Sequence, residues 1–221
     1  MCLKRITNMI IETMGRRRTP ETYTKVLLHF DGVNGSTTFI DETGRAWTKT
    51  GSANITNSFV KFGIGSLNPG IGKIITPSSE DFAFGTENFT IDFWTYLGNN
   101  QVVITLDSTV AIGNYGIYYN MNDNRCYLYY NGTQIYSSGD NAFSFHGWKH
   151  IAIIGINSTI KIYFDGSLFH STTVNYNIAE NDLSIHGNDF QSAAPIDEFR
   201  ISNIARWTSN FTPPTSAYTL D

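Results

Sequence analysis

Phe89-Thr-Ile-Asp-Phe-Trp94 sets Phe89, Ile91 and Phe93 on one side of an extended chain and Thr90, Asp92 and Trp94 on the other. That two-residue period is the mark of a strand with one face in a core. Ile160-Lys-Ile-Tyr-Phe-Asp165 repeats it, with Ile160, Ile162 and Phe164 on the apolar side. Working outward, strands are expected at Lys25–Asp31, Gln101–Leu106, Arg125–Tyr130, Trp148–Ile156, Asp182–Ile185 and Ile196–Ile201, most of them rich in β-branched and aromatic residues. Asp31-Gly32, Asn34-Gly35, Asn131-Gly132 and Asp165-Gly166 are short-turn signals between these runs. Tyr127–Tyr136 and Ile160–Phe169 therefore read as tight hairpins. The helical candidates are a single turn at Asn203–Arg206 and a leader in which Ile6, Met9, Ile10 and Met14 recur at helical spacing. Many short strands without long helices predict an all-β fold of two antiparallel sheets.

The 221 residues suit one such domain. Residues 24–221 are expected to form it, and residues 1–23 to form a basic arm. Residues 1–25 hold six basic and two acidic residues, net +4, and the remainder nine and seventeen, net −8. An overall charge of −4 argues against nucleic acid, whose phosphates demand many cations. No run approaches the length of a membrane-spanning helix, so no membrane insertion is expected. Met9-Ile-Ile11 is too short for a signal-peptide core, which predicts synthesis without a secretion address, from Met1 or from Met14. Cys2 and Cys126 read as unpaired thiols.

Five blocks then occur in a recognisable order. They are Leu27–Gly32, Lys61–Leu67, Asp81–Trp94, Gly147–His150 with Ile162–Gly166, and Ile196–Pro214. Together they resemble a laminin-G-like jelly roll, a branch of the concanavalin A-like lectin and glucanase superfamily, in the form scattered through phage and other viral structural proteins. The resemblance implies a lectin-like component of a virus particle, in a tail-fibre, head-fibre or capsid-decoration role. It further implies host-surface glycan as ligand, other particle proteins as partners of the arm, and a homo-oligomer. The alternative from another class is a connector that binds particle subunits and no sugar.

Catalysis is not expected. Glycosidases of this superfamily carry Glu-x-Asp-x-x-Glu on one strand, and here Glu180-Asn-Asp182-Leu-Ser-Ile185 ends in an apolar side chain that can neither donate a proton nor attack a sugar. Asp197 and Glu198 are adjacent and leave opposite faces of a regular strand. No Gly-x-Ser-x-Gly elbow or phosphate loop occurs, and His146 and His150 lack the glutamate and helix of a zinc protease. A divergent glycoside hydrolase is the third reading.

Two binding readings remain. Alternation sets Asp31 on a face with Leu27 and His29, and Asp197 with Phe199 and Ile201. A carboxylate at an apolar edge is costly unless it caps amides or ligates a cation, and the resemblance implies one structural Ca²⁺ held by Asp31, Asp197 and carbonyls of the Asp31–Gly35 loop. For glycan, Tyr115, Tyr118, Tyr119, Asn122, Asp123, Tyr129 and Asn131 supply aromatic faces and hydroxyl partners, with Tyr127 and Tyr129 outward if Leu128 faces in. Trp94, Trp148 and Trp207 are expected in the core or along a seam.

Overall fold

The computed structural model describes residues 22–97, 102–106, 117–122, 125–139, 147–186 and 194–221. The arm through residue 21, and with it Cys2 and the leader helix, lies outside them. So do Tyr115 and Asp123.

Among the described residues the chain forms β1 (Thr24–Leu28), β2 (Thr48–Gly51), β3 (Asn54–Thr56), β4 (Ser66–Asn68), β5 (Gly72–Ser79), β6 (Phe89–Leu97), β7 (Val102–Leu106), β8 (Ile117–Asn122), β9 (Arg125–Tyr130), β10 (Thr133–Ser137), β11 (Gly147–Ile156), β12 (Thr159–Phe164), β13 (Ser167–Thr173), β14 (Asn181–His186) and β15 (Ile196–Ser202). One sheet runs β13-β12-β11-β6-β15-β4-β3 with β1 also on β15, and the other runs β10-β9-β8-β7-β14-β5-β2. Every pairing is antiparallel. This is the expected two-sheet jelly-roll sandwich.

The core lies between the sheets. Phe89, Ile91 and Phe93 face it from β6, Ile160 and Ile162 from β12, and Ile74, Leu128 and Ile185 from the second sheet. The hairpin turns carry the left-handed backbone that a two-residue connection between right-twisted strands requires. Asn131 and Gly132 have φ of 48° and 72°, and Asp165 and Gly166 have 45° and 75°. Tyr136 of β10 stacks on His170 of β13 at 3.5 Å where the two sheets meet.

The first sheet is covered on its outer face too. The segment after β15 folds back over it, and Trp207 stacks on Phe211 at 3.9 Å against Ala152, Ile154 and Tyr163. Tyr218 joins Leu27 and Trp94 in a second outer cluster. Burial on both faces explains the unbroken apolar run of β11, where alternation is lost. The strap is fastened at its end by Asp221, whose carboxylate takes Arg206 at 2.8 and 2.9 Å and Thr24 at 2.6 Å.

Two expectations are corrected. Residues 203–206 form no helical turn, because Thr90 Oγ1 donates to the Ile204 carbonyl and accepts the Arg206 amide, tying that backbone to β6. The helix among the described residues is instead a 3-10 turn, Glu80–Phe82, capped by Ser79. Asp197 does not share a face with Phe199 and Ile201. Glu198, at φ 53°, inserts an extra residue into β15. Phe199 and Ile201 point into the core, while Asp197 lies opposite Trp94 on the outer face.

Candidate functional site

The Asp31 and Asp197 carboxylates meet on one loop. Asp197 Oδ2 accepts the amide N–H of Lys61 and of Phe62 at 2.8 and 3.1 Å, and its Oδ1 accepts that of Glu198 at 2.9 Å. Asp31 Oδ1 accepts the amides of Ile64 and Gly65 at 2.5 and 3.1 Å. Between them Gly63 turns with φ 66°, and a Cβ there would fall on the Asp31 carboxylate. These donors are the positive ends of N–H dipoles, whereas Ca²⁺ takes six to eight oxygens. The nearby carbonyls are engaged as well: Gly32 O accepts from Asn57 and Val33 O from Ser36. Among the described residues no three His, Cys, Asp or Glu side chains gather as metal ligands. The residues present fit amide capping and do not fit the ion. Burial pushes the Asp197 carboxyl up to about 7, against the pull of its amide donors.

The loop so held presents Lys61 and Phe62 to a cleft on the outer face of the first sheet. The cleft has a volume of about 460 Å³ and is lined by Lys61, Phe62, Trp94, Trp148, Asp165 and the stretch 212–215 of the strap. Trp148 lies opposite Tyr96 across β11 and β6, with ring centroids 5.7 Å apart, and Phe59 packs on Tyr96 at 4.7 Å. Phe62 meets Trp94 edge-on at 5.9 Å. A half-exposed aromatic row thus leads into a pocket rimmed by Thr212 and Thr215. Asp165 is neutralised in place: its Oδ2 takes Lys149 Nζ at 2.7 Å and its Oδ1 the His150 amide at 3.0 Å.

Beneath the strap beside this cleft lies a buried polar chain. Arg200 clasps Asp92 with two bonds of 3.1 and 2.9 Å and lies over the Tyr218 ring at 4.1 Å. Burial raises the Asp92 carboxyl, but Arg200 and His150 outweigh it and hold it below the usual range. His150 Nε2 is 3.0 Å from Tyr218 Oη, and the Tyr218 amide donates to Glu198 Oε2 at 2.7 Å. Glu198 Oε1 meets His29 Nδ1 at 2.8 Å, and this bond raises the imidazole above its ordinary value. The chain joins β6, β11, β15 and His29, the residue after β1, to the strap. It is enclosed scaffolding, with Asp92 and His150 wholly buried.

The tyrosine reading falls on the second sheet. Leu128 is buried in the core, and Tyr127 and Tyr129 sit half-exposed on the other face, as alternation requires. Tyr129 Oη donates to Gln134 at 2.8 Å. The register sets Tyr118 opposite Tyr129, Tyr119 opposite Leu128 and Asn122 opposite Arg125. Asn131 is exposed at the β9–β10 turn. By register, Tyr118 and Tyr129 pair near the β9–β10 turn that carries Asn131, on the sheet opposite the one that bears the cleft. Trp148, expected in the core or along a seam, lines the cleft instead, and Lys61 and Phe62 had no sequence signal as ligand contacts.

Glu180 is exposed and accepts from Ser78 at 3.2 Å. The strand partners of Asn181–Ile185 are Ser79, Thr76, Ile75 and Ile74 on β5 and Leu106, Thr105 and Ile104 on β7. No carboxylate stands at these registers.

Comparison of the sequence with curated proteins gives no significant match. Among solved structures, the binding domain of Paraclostridial Mosquitocidal Protein 1 is similar with a TM-score of 0.63 at 17% identity, over 83% of this chain and 49% of that one. A botulinum neurotoxin type C structure, described as entering cells through two ganglioside molecules, matches with a TM-score of 0.61 at 16% identity, over 83% and 48%. The binding domain of botulinum neurotoxin DC in complex with SialylT matches with a TM-score of 0.61 at 17% identity, over 83% and 48%. The chain spans about half the length of these structures, and at such identities the likeness is one of fold. The model of the laminin-G-like family within the concanavalin A-like lectin/glucanases superfamily matches residues 69–209, well over half of the sequence. The chain belongs to that family.

Proposed function

We propose that this chain is a non-catalytic carbohydrate-binding module and that its saccharide sits in the cleft between Phe62, Trp148 and the strap. The observation that carries the reading is the cleft's make-up: aromatic faces for the apolar side of a sugar ring, and Lys61, Thr212 and Thr215 for its hydroxyls. Its volume of about 460 Å³ accommodates one or two sugar residues. Among the described residues one carboxylate lines it, Asp165, and that is bound to Lys149 and the His150 amide, whereas glycoside hydrolysis takes two flanking carboxyl groups. The structural neighbours described with gangliosides or with SialylT support it by analogy of fold alone.

The setting we propose is a virus particle, with the module meeting host-surface glycan and the basic arm meeting other particle proteins. The support is the resemblance of the five sequence blocks to jelly rolls of phage and viral structural proteins. Binding to an immobilised glycan array, compared for the full chain and for Trp148→Ala, Phe62→Ala and Tyr129→Ala, tests the site. Loss in the first two and retention in the third is expected. Loss in Tyr129→Ala alone moves the site to the second sheet. Silence of the full chain on the array, with tight binding to another particle protein, replaces the lectin with a connector.

A further inference from the structure

Resting on the carbohydrate reading of the cleft, we infer that its preferred ligand is an acidic saccharide whose carboxylate pairs with Lys61. The Lys61 ammonium lies 3.9 Å from the Trp94 ring centroid and 5.3 Å from that of Phe62. Ring faces attract it but accept none of its three N–H donors in the way an oxygen does. Among the described residues it makes no hydrogen bond and no ion pair. The other cations packed on this face have oxygen partners: Arg200 pairs with Asp92, Lys149 with Asp165 and Arg206 with Asp221, and Lys161 donates to the Thr208 carbonyl.

The carboxylates near Lys61 cannot serve it. Asp165 is taken by Lys149 and the His150 amide. Asp197 spends its oxygens on the backbone amides of Lys61, Phe62 and Glu198. The lysine's position is nonetheless built, because its own amide is fixed by Asp197 while the neighbouring turn is fixed by Asp31. The result is a positioned, half-buried cation at the mouth of an aromatic-lined pocket of sugar-binding size, with its donors unspent. A neutral sugar leaves that charge without a partner. A sugar acid supplies one, at a place where partial exclusion of water strengthens the pairing.

The test uses matched immobilised or titrated pairs, lactose against sialyllactose and cellobiose against cellobiouronic acid, with the full chain and with Lys61→Met, Lys61→Arg and Trp148→Ala. Lys61→Met keeps an aliphatic stem over Trp94 and leaves the amide bonds of the loop in place, so an unchanged Tm is expected. The full chain should prefer the acid of at least one pair by tenfold or more, with binding weakened as sodium chloride rises. Lys61→Met should lose that preference, weakening the acids at least tenfold more than their neutral partners, and Lys61→Arg should retain it. Equal, Trp148-dependent binding of acid and neutral partners would overturn the inference and leave the carbohydrate site standing. Absence of Trp148-dependent binding to every member would overturn both.

Discussion

Asp31 and Asp197, from the first and last parts of the sandwich, grip the two halves of a single loop: Asp197 holds the amides of Lys61 and Phe62, and Asp31 those of Ile64 and Gly65. A loop fastened at both ends by hydrogen bonds presents its side chains in a fixed place, so these two side chains position a binding surface rather than contact its ligand.

Removing either carboxylate should loosen its own half of the loop. Asp31→Ala is expected to accelerate amide hydrogen exchange at Ile64 and Gly65, and Asp197→Ala at Lys61 and Phe62. Asp197→Ala should cost roughly 1–3 kcal/mol in urea unfolding, because enclosed N–H groups are left unpaired, and Asp31→Ala less, because the Ile64 amide reaches water. Unchanged exchange at those amides would contradict the arrangement.

Calcium should have little effect. With amide donors on three of the four carboxylate oxygens of Asp31 and Asp197, adding millimolar calcium or removing it with EDTA is expected to shift Tm by less than about 1 °C. A rise of several degrees specific to calcium would show a cation site in this fold.

The Asp92–Arg200 pair should be the costliest polar contact to break. Both groups are buried, with Asp92 wholly enclosed. Asp92→Ala strands the guanidinium, and a loss of about 3–5 kcal/mol is expected by denaturant unfolding. Simultaneous replacement of both partners by apolar residues should recover part of that loss.

Stability should fall on the alkaline side. His29 is raised by its bond to Glu198, and Asp197 is pushed up to about 7 by burial. Both hold a proton more tightly folded than unfolded. Their contribution is therefore complete below the unfolded values, about 6.5 for histidine and about 3.9 for aspartate, and is lost as pH rises through the folded ones. Asp221 runs the other way. Arg206 holds it down to about 2, so its contribution is present above the unfolded value and disappears as pH falls through that point. Thermal and urea unfolding should show roughly 1–3 kcal/mol less stability at pH 8 than at pH 5. His29→Gln and Asp197→Asn should each flatten that slope.

Phe89–Trp94 and Ile160–Phe164 declared their faces in the sequence because one side of each strand meets a core and the other does not, and period two records that difference directly. The Asn131-Gly132 and Asp165-Gly166 turns were equally plain, since few residues accept positive φ twice in succession. β5 and β8 were not expected as strands, and neither were β2, β3 and β4. Thr48–Gly51 is exposed throughout, and β3 and β4 are three residues long, so neither pattern nor propensity marks these three.

The cleft was hidden for a different reason. Its lining comes from a loop, two strands, a hairpin turn and the strap, segments spread from Lys61 to Thr215. What local residue order established is the all-β character, the hairpins and the inward faces, because these follow from periodicity and backbone preference over a few neighbours. Where Asp197 points depended on an extra residue in β15, and what Lys61 faces depended on how the strap lies on the first sheet. Both are outcomes of packing between distant segments, which no short-range pattern encodes.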